Sequence, residues 1–178
     1  MPQFRLRISK LDAARRQMET AVRLYFNEAD PVSVHTLAAA AHQILADLSR
    51  ARSGGPMLTE LALDKVVRPE KRKEAAEILR AAANFLKHAD RDPTAMCCLL
   101  PSQSEFLLFD AVQQYRTLTN EMVPVLGAYW AWFWLGPGKD FVDVKEASMI
   151  ERFRAAFAGS TRRSFFATAV TMLSEVGP

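Results

Sequence analysis

The fold of this chain is decided near its N-terminus, where residues 9–50 read SKLDAARRQMETAVRLYFNEADPVSVHTLAAAAHQILADLSR. Apolar residues recur at helical spacing along the first half, so we expect a helix from Ser9 to about Ala29. Asp30 is a favourable N-cap and Pro31 suits the first position of a helix, which predicts a second helix to about Arg50. Because the connection is so short, the two helices are predicted to form an antiparallel hairpin.

The remaining segments also favour helices, and we find neither an alternating strand pattern with a hairpin turn nor a repeat of fixed period. Helices are predicted at about Met57–Val67, Pro69–Ala89, Ser102–Thr119, Glu121–Leu135, Val144–Ala158 and Ser160–Glu175. We therefore predict an all-α fold in a single domain spanning residues 1–178. An antiparallel helical bundle would occupy about 8–135, with additional C-terminal helices at about 140–176.

Three of these helices carry more detailed expectations. The helix that starts at Pro69 should turn one face towards the core, made of Ala75, Ile78, Leu79, Ala82, Phe85 and Leu86. The run Ser102–Glu105 has the pattern of a capping box, which would begin its helix. The helix at about Glu121–Leu135 is apolar nearly all round, so it should be buried on several sides, against the bundle and against a second copy or the C-terminal helices.

Composition narrows the class of protein but does not identify it. The 178 residues include 23 basic and 20 acidic ones, and this small excess does not indicate a dedicated nucleic-acid coat. The two cysteines, Cys97 and Cys98, are neighbours, so they predict no disulfide framework and no Cys-x-x-Cys metal or redox site. We expect both thiols to be buried and structural.

The sequence gives no sign of export or membrane insertion. Arg5 and Arg7 run directly into a charged helix, without the apolar segment of a signal peptide. The longest apolar run, Met122–Leu135, falls short of the roughly 20 residues that a membrane-spanning helix needs. We therefore expect a soluble, cytoplasmic protein without a membrane partner.

Familiar motifs for cofactors and metals do not occur. We find no phosphate-binding glycine loop, no dinucleotide fingerprint and no nucleophile elbow, so no cofactor is expected. His35 and His42 share a helix face, but about 10.5 Å of helical rise separates them, which is too far for two ligands of one ion. We therefore predict no metal site.

The polar stretch from Arg80 to Pro93 is the best candidate for a functional site. Arg80, Asn84 and His88 recur at i, i+4 and i+8 and lie along one side of a helix. One interpretation is structural, with Lys87, His88 and Arg91 compensating the carbonyl groups at a helix end. The other is phosphodiester chemistry, with His88 as general base and a neighbouring cation stabilising the phosphorane. The candidate catalytic residues are His88, Asn84, Arg80 and Lys87, and the candidate substrate-binding residues are Arg91, Asp90 and His35.

The segment Asn84-Phe-Leu-Lys-His88 at a helix end resembles the motif of the HEPN superfamily. That resemblance implies a helical bundle, often dimeric, in a group that includes metal-independent ribonucleases and nucleotide-binding proteins. In this chain the arginine of the motif would be Arg80 and its histidine His88, with seven residues between them, and Asn84 matches the polar element. Two functions therefore stay open: an HEPN-like, homodimeric protein that interacts with RNA or a nucleotide, and a non-catalytic module for protein interaction or dimerisation.

Overall fold

The computed structural model describes residues 5–52, 54–88, 93–136, 155 and 157–175. Over these residues the chain is helical and contains no strand, which confirms the predicted all-α fold. The helices are α1 (Lys10–Phe26), α2 (Pro31–Arg52), α3 (Leu58–Val66), α4 (Arg72–Phe85), α5 (Pro101–Thr119), α6 (Pro124–Leu135) and α7 (Arg162–Glu175). No helix in the described part of the chain is both long enough and apolar enough to cross a membrane.

The first two helices form the predicted hairpin, and local hydrogen bonds fix both of its helix starts. The hydroxyl of Ser9 accepts from the backbone N–H of Asp12 at 3.0 Å, which caps α1. The carboxylate of Asp30 accepts from the backbone N–H of Ser33 at 2.9 Å, which caps α2 directly before Pro31. Between the helices Glu28 takes a positive φ of 54°, which turns the chain sharply.

The core lies where α1, α2, α5 and α6 meet, and α7 closes one side of it. Phe165 of α7 is fully buried and stacks on Phe26 of α1 at 6.0 Å between ring centroids. The tryptophans of α6 divide between two sides: Trp132 packs on Phe165, whereas Trp134 packs edge-on against Phe109 of α5. The aromatic residues of α6 thus contact both the bundle and the last helix.

Three local expectations were wrong. On α4 the predicted inner face is buried at Ala82, whereas Ile78, Leu79 and Phe85 are 64%, 44% and 39% exposed, because the helix packs through the small residues Ala82 and Ala83. The helix α5 begins at Pro101 without a side-chain cap, so the predicted capping box does not form. Cys97 and Cys98 are both exposed rather than buried, since they lie outside any helix in the segment before α5.

Candidate functional site

A buried carboxylate links three helices in the middle of the molecule. Asp110 of α5 is 1% exposed, and its two oxygens accept from the backbone N–H groups of Leu58 and Thr59 at 2.9 and 3.0 Å. The hydroxyl of Thr59 adds a hydrogen bond of 2.9 Å. These are the first residues of α3, whose preceding residue, Met57, offers no capping side chain. Asp110 therefore supplies from another helix the N-cap that α3 lacks.

His42 of α2 provides the fourth hydrogen bond to this carboxylate. Its Nε2 lies 2.9 Å from Oδ2 of Asp110, and 16% of its side chain is exposed. Burial by itself raises the pKa of the Asp110 carboxyl, but His42 and the N–H groups of Thr59 and Leu58 outweigh it, so the pKa is lowered. An ionised Asp110 selects the His42 tautomer that carries its proton on Nε2, which leaves Nδ1 as the basic nitrogen.

His42 opens onto a cleft between α2 and α4, closed at one end by α3, which we call the α2–α4 cleft. Its volume is about 90 Å³. Three of the predicted site residues line it, namely Arg80 and Asn84 of α4 and Lys87, which follows the end of that helix. The i, i+4 spacing of Arg80 and Asn84 places both on one face of α4. The opposing residues are His42 and Arg50 of α2 and Thr59 of α3, and between them lie the alanines Ala39, Ala46, Ala76 and Ala83.

The electrostatic character of the α2–α4 cleft is cationic. Arg50 is paired with Asp47 at 2.7 Å, on an exposed surface where such pairs contribute little. Within the described ranges, Arg80 and Lys87 have no acidic partner within 4.0 Å. The one carboxylate in the lining, Glu60, accepts from the backbone N–H of Met57 at 3.1 Å. The cleft therefore favours an anion.

The other predicted site residues lie elsewhere. His35 is fully buried, with Nδ1 3.0 Å from the hydroxyl of Ser104, and its Nε2 has no hydrogen-bond partner in the part of the chain that the structure describes. Burial, and then the charge of Lys87, lowers the pKa of His35. His88 is exposed and lies outside the described lining of the α2–α4 cleft. Asp90 and Arg91 lie outside the described residues.

Sequence reasoning missed Asp110 and Thr59, and it considered His42 only as a metal ligand. A signal for Asp110 was present, because it interrupts the apolar run Leu108–Val112 with a carboxylate. A charged residue on a core face needs partners, and its partners define a site. Among the described residues, no group of three or more histidine, cysteine or acidic side chains could hold a metal ion.

Comparisons of the chain with protein-family models, curated proteins and solved structures found no match.

Proposed function

We propose that this protein binds RNA or a nucleotide through a phosphate group held in the α2–α4 cleft. The observation that carries the proposal is the convergence of Arg80, Asn84 and Lys87 on one small cleft, opposite Arg50. Guanidinium groups bind phosphate oxygens through two parallel hydrogen bonds, and a lysine adds a point charge. The resemblance of the Asn84–His88 segment to the HEPN superfamily agrees with this ligand class.

The size of the cleft favours a phosphate over a whole nucleotide. Its volume of about 90 Å³ is far below the roughly 300–1,000 Å³ of pockets that enclose drug-sized ligands. A phosphate group enters such a space, whereas the sugar and base stay at its mouth. Binding through phosphate alone carries little sequence information, so we expect affinity for many RNA sequences and strong dependence on salt.

The test is fluorescence anisotropy with a labelled single-stranded RNA, in a series of salt concentrations. Arg80→Ala and Lys87→Ala should each weaken binding by about 10-fold or more, since hydrogen bonds to charged groups contribute about 1.5–3 kcal/mol. Each variant should also reduce the salt slope by about one. Lys73→Ala is the matched control, because Lys73 is an exposed cation of α4 outside the cleft lining. Equal effects of all three changes would contradict the proposal.

A second candidate function is dimerisation or another protein interaction, and the outer face of α4 favours it. Ile78 and Phe85 are exposed there, and Leu79 borders a groove of about 420 Å³ that Phe106 and Leu107 of α5 also line. Apolar residues grouped on a surface are typical of interfaces. Ile78→Ser should convert a dimer into a monomer in light scattering, and a wild-type monomer would exclude a homodimer. We also propose that the protein is cytoplasmic.

A further inference from the structure

A groove beside the start of α5 differs in character from the α2–α4 cleft, and we call it the α5 groove. Its volume of about 420 Å³ lies within the roughly 300–1,000 Å³ of pockets that bind small organic ligands. Its surface is mainly apolar, and four large side chains contribute to it, namely Leu79, Phe106, Leu107 and Phe133. The other lining residues carry polar groups that can orient a ligand: Thr59, Ser102, Gln103 and Glu105.

Glu105 is the only charged residue in the described lining of the α5 groove. Its Oε1 accepts a hydrogen bond of 2.8 Å from the hydroxyl of Tyr25, which holds the side chain in place. Its Oε2 accepts no hydrogen bond from the residues that the structure describes. The carboxylate therefore keeps one oxygen for a ligand.

The surroundings of Glu105 provide no counterion for this carboxylate. Within the described ranges no basic side chain lies within 4.0 Å of it. Arg162 lies over the ring of Tyr25, 4.2 Å from the ring centroid, and is not among the residues that line the groove. The positive end of the α5 dipole is equivalent to about half a charge, which the full charge of the carboxylate exceeds. The α5 groove therefore favours a cation, whereas the α2–α4 cleft favours an anion.

Gln103 adds a second hydrogen-bond acceptor to the α5 groove. Its Oε1 is enclosed, and no described residue donates a hydrogen bond to it. The terminal torsion of a glutamine side chain is soft, so rotation of the amide can turn this oxygen towards a bound ligand. Oε2 of Glu105 and Oε1 of Gln103 both lack donors, which favours a ligand that carries N–H groups.

We propose that the α5 groove binds a small hydrophobic amine, whose apolar body packs on Phe106 and Leu79 and whose ammonium group binds Glu105. An ammonium group supplies both the positive charge and the N–H donors that the groove lacks. The aromatic walls suit the same ligand, because an aromatic ring attracts a cation over its face. The groove shares Thr59, Leu79 and Leu107 with the α2–α4 cleft but favours the opposite charge, so this site goes beyond the proposed function.

The experiment titrates the full chain by isothermal calorimetry with three naphthalene probes of similar size and different charge, namely naphthylmethylamine, naphthylmethanol and naphthoate. The amine should bind at least about 10-fold more tightly than the alcohol, because a hydrogen bond to a charged group contributes more than a bond between neutral groups. Naphthoate should bind more weakly than the alcohol, since Glu105 repels its carboxylate. Equal affinities for the amine and the alcohol, or no binding of the amine, would overturn the proposal.

Two variants locate the bound probe. Glu105→Gln keeps an acceptor for Tyr25, so its circular dichroism should match that of the wild-type protein. Its affinity for the amine should fall by about 10-fold, with its affinity for the alcohol within about twofold of wild type. Ser102→Trp should fill the groove from an exposed position and abolish binding of both probes. Thr117→Trp is the control, because Thr117 is an exposed residue of α5 outside the groove lining, and it should bind both probes as the wild-type protein does.

Three results with these variants would contradict the proposal. An equal loss of both probes in Glu105→Gln would show that the carboxylate does not recognise the ammonium group. Amine binding that survives in Ser102→Trp would place the probe outside the α5 groove. A wild-type dimer in light scattering that becomes a monomer in Ser102→Trp would show that a second copy of the chain, rather than an amine, covers the groove.

Discussion

Replacing Asp110 with alanine should be among the most damaging single changes in this protein. The substitution removes a side chain that is 1% exposed and that joins α5 to α2 and α3. Four donors lose their acceptor: two backbone N–H groups, the hydroxyl of Thr59 and Nε2 of His42. Three of them belong to the first two residues of α3, so this helix would also lose the cap that Asp110 supplies.

The magnitude follows from the kind of bonds that are lost. A hydrogen bond to a charged group contributes about 1.5–3 kcal/mol, but four bonds to one carboxylate do not add independently. Leaving a buried donor without an acceptor costs about 1–3 kcal/mol, and loss of an N-cap alone costs about 0.5–2 kcal/mol. We expect Asp110→Ala to lower the free energy of unfolding by about 4 kcal/mol, within a typical total of about 5–15 kcal/mol.

Urea denaturation followed by circular dichroism at 222 nm measures this change, and thermal denaturation should show a Tm lower by about 8–16 °C. Asp47→Ala is the control, because it removes the same side chain from an exposed position on α2 and should cost less than about 0.5 kcal/mol. Because the folded-state pKa of Asp110 is lowered, its contribution is complete above about pH 4 and is lost as the pH falls further. A variant within 1 kcal/mol of wild type would refute the reasoning.

Three other changes probe other parts of the fold. Burial and the charge of Lys87 lower the pKa of His35 in the folded state, so the free energy of unfolding should fall as the pH drops below about 6.5. Urea midpoints measured from pH 5 to 8 should show a smaller loss in His35→Gln than in the wild-type protein. Phe165→Ala, which empties a fully buried site on α7, should cost about 3–5 kcal/mol in urea unfolding, and a near-neutral result would show that α7 is not part of the core. Gly54→Ala would place a Cβ 2.8 Å from Cδ2 of Leu118 and 3.0 Å from the hydroxyl of Ser49. Because hydrogen bonds with Gly55 and Gln114 hold that hydroxyl, we expect a lower Tm, and an unchanged Tm would show that both side chains can move aside.

The sequence by itself determined the elements that depend on neighbouring residues. Ser9 and Asp30 cap their helices through residues three positions away, and these contacts form in any helix with that sequence. The burial of α6 on several sides also followed from its apolar composition, because no orientation could hide all of its aromatic residues against one neighbour. Such features need only local geometry or the hydrophobic effect, and both can be read from residue order.

Tertiary structure decided which face of α4 is buried and which residues share a site. The periodicity of α4 predicted Ile78 and Phe85 on the inner face together with Ala82, but the helix packs through Ala82 and Ala83, which leaves the larger side chains exposed. His42 and Asp110 are 68 positions apart in the chain and meet only because α2 and α5 pack side by side. Helical spacing fixes the residues that share a face, whereas the packing partner of that face depends on how distant segments fill the core together.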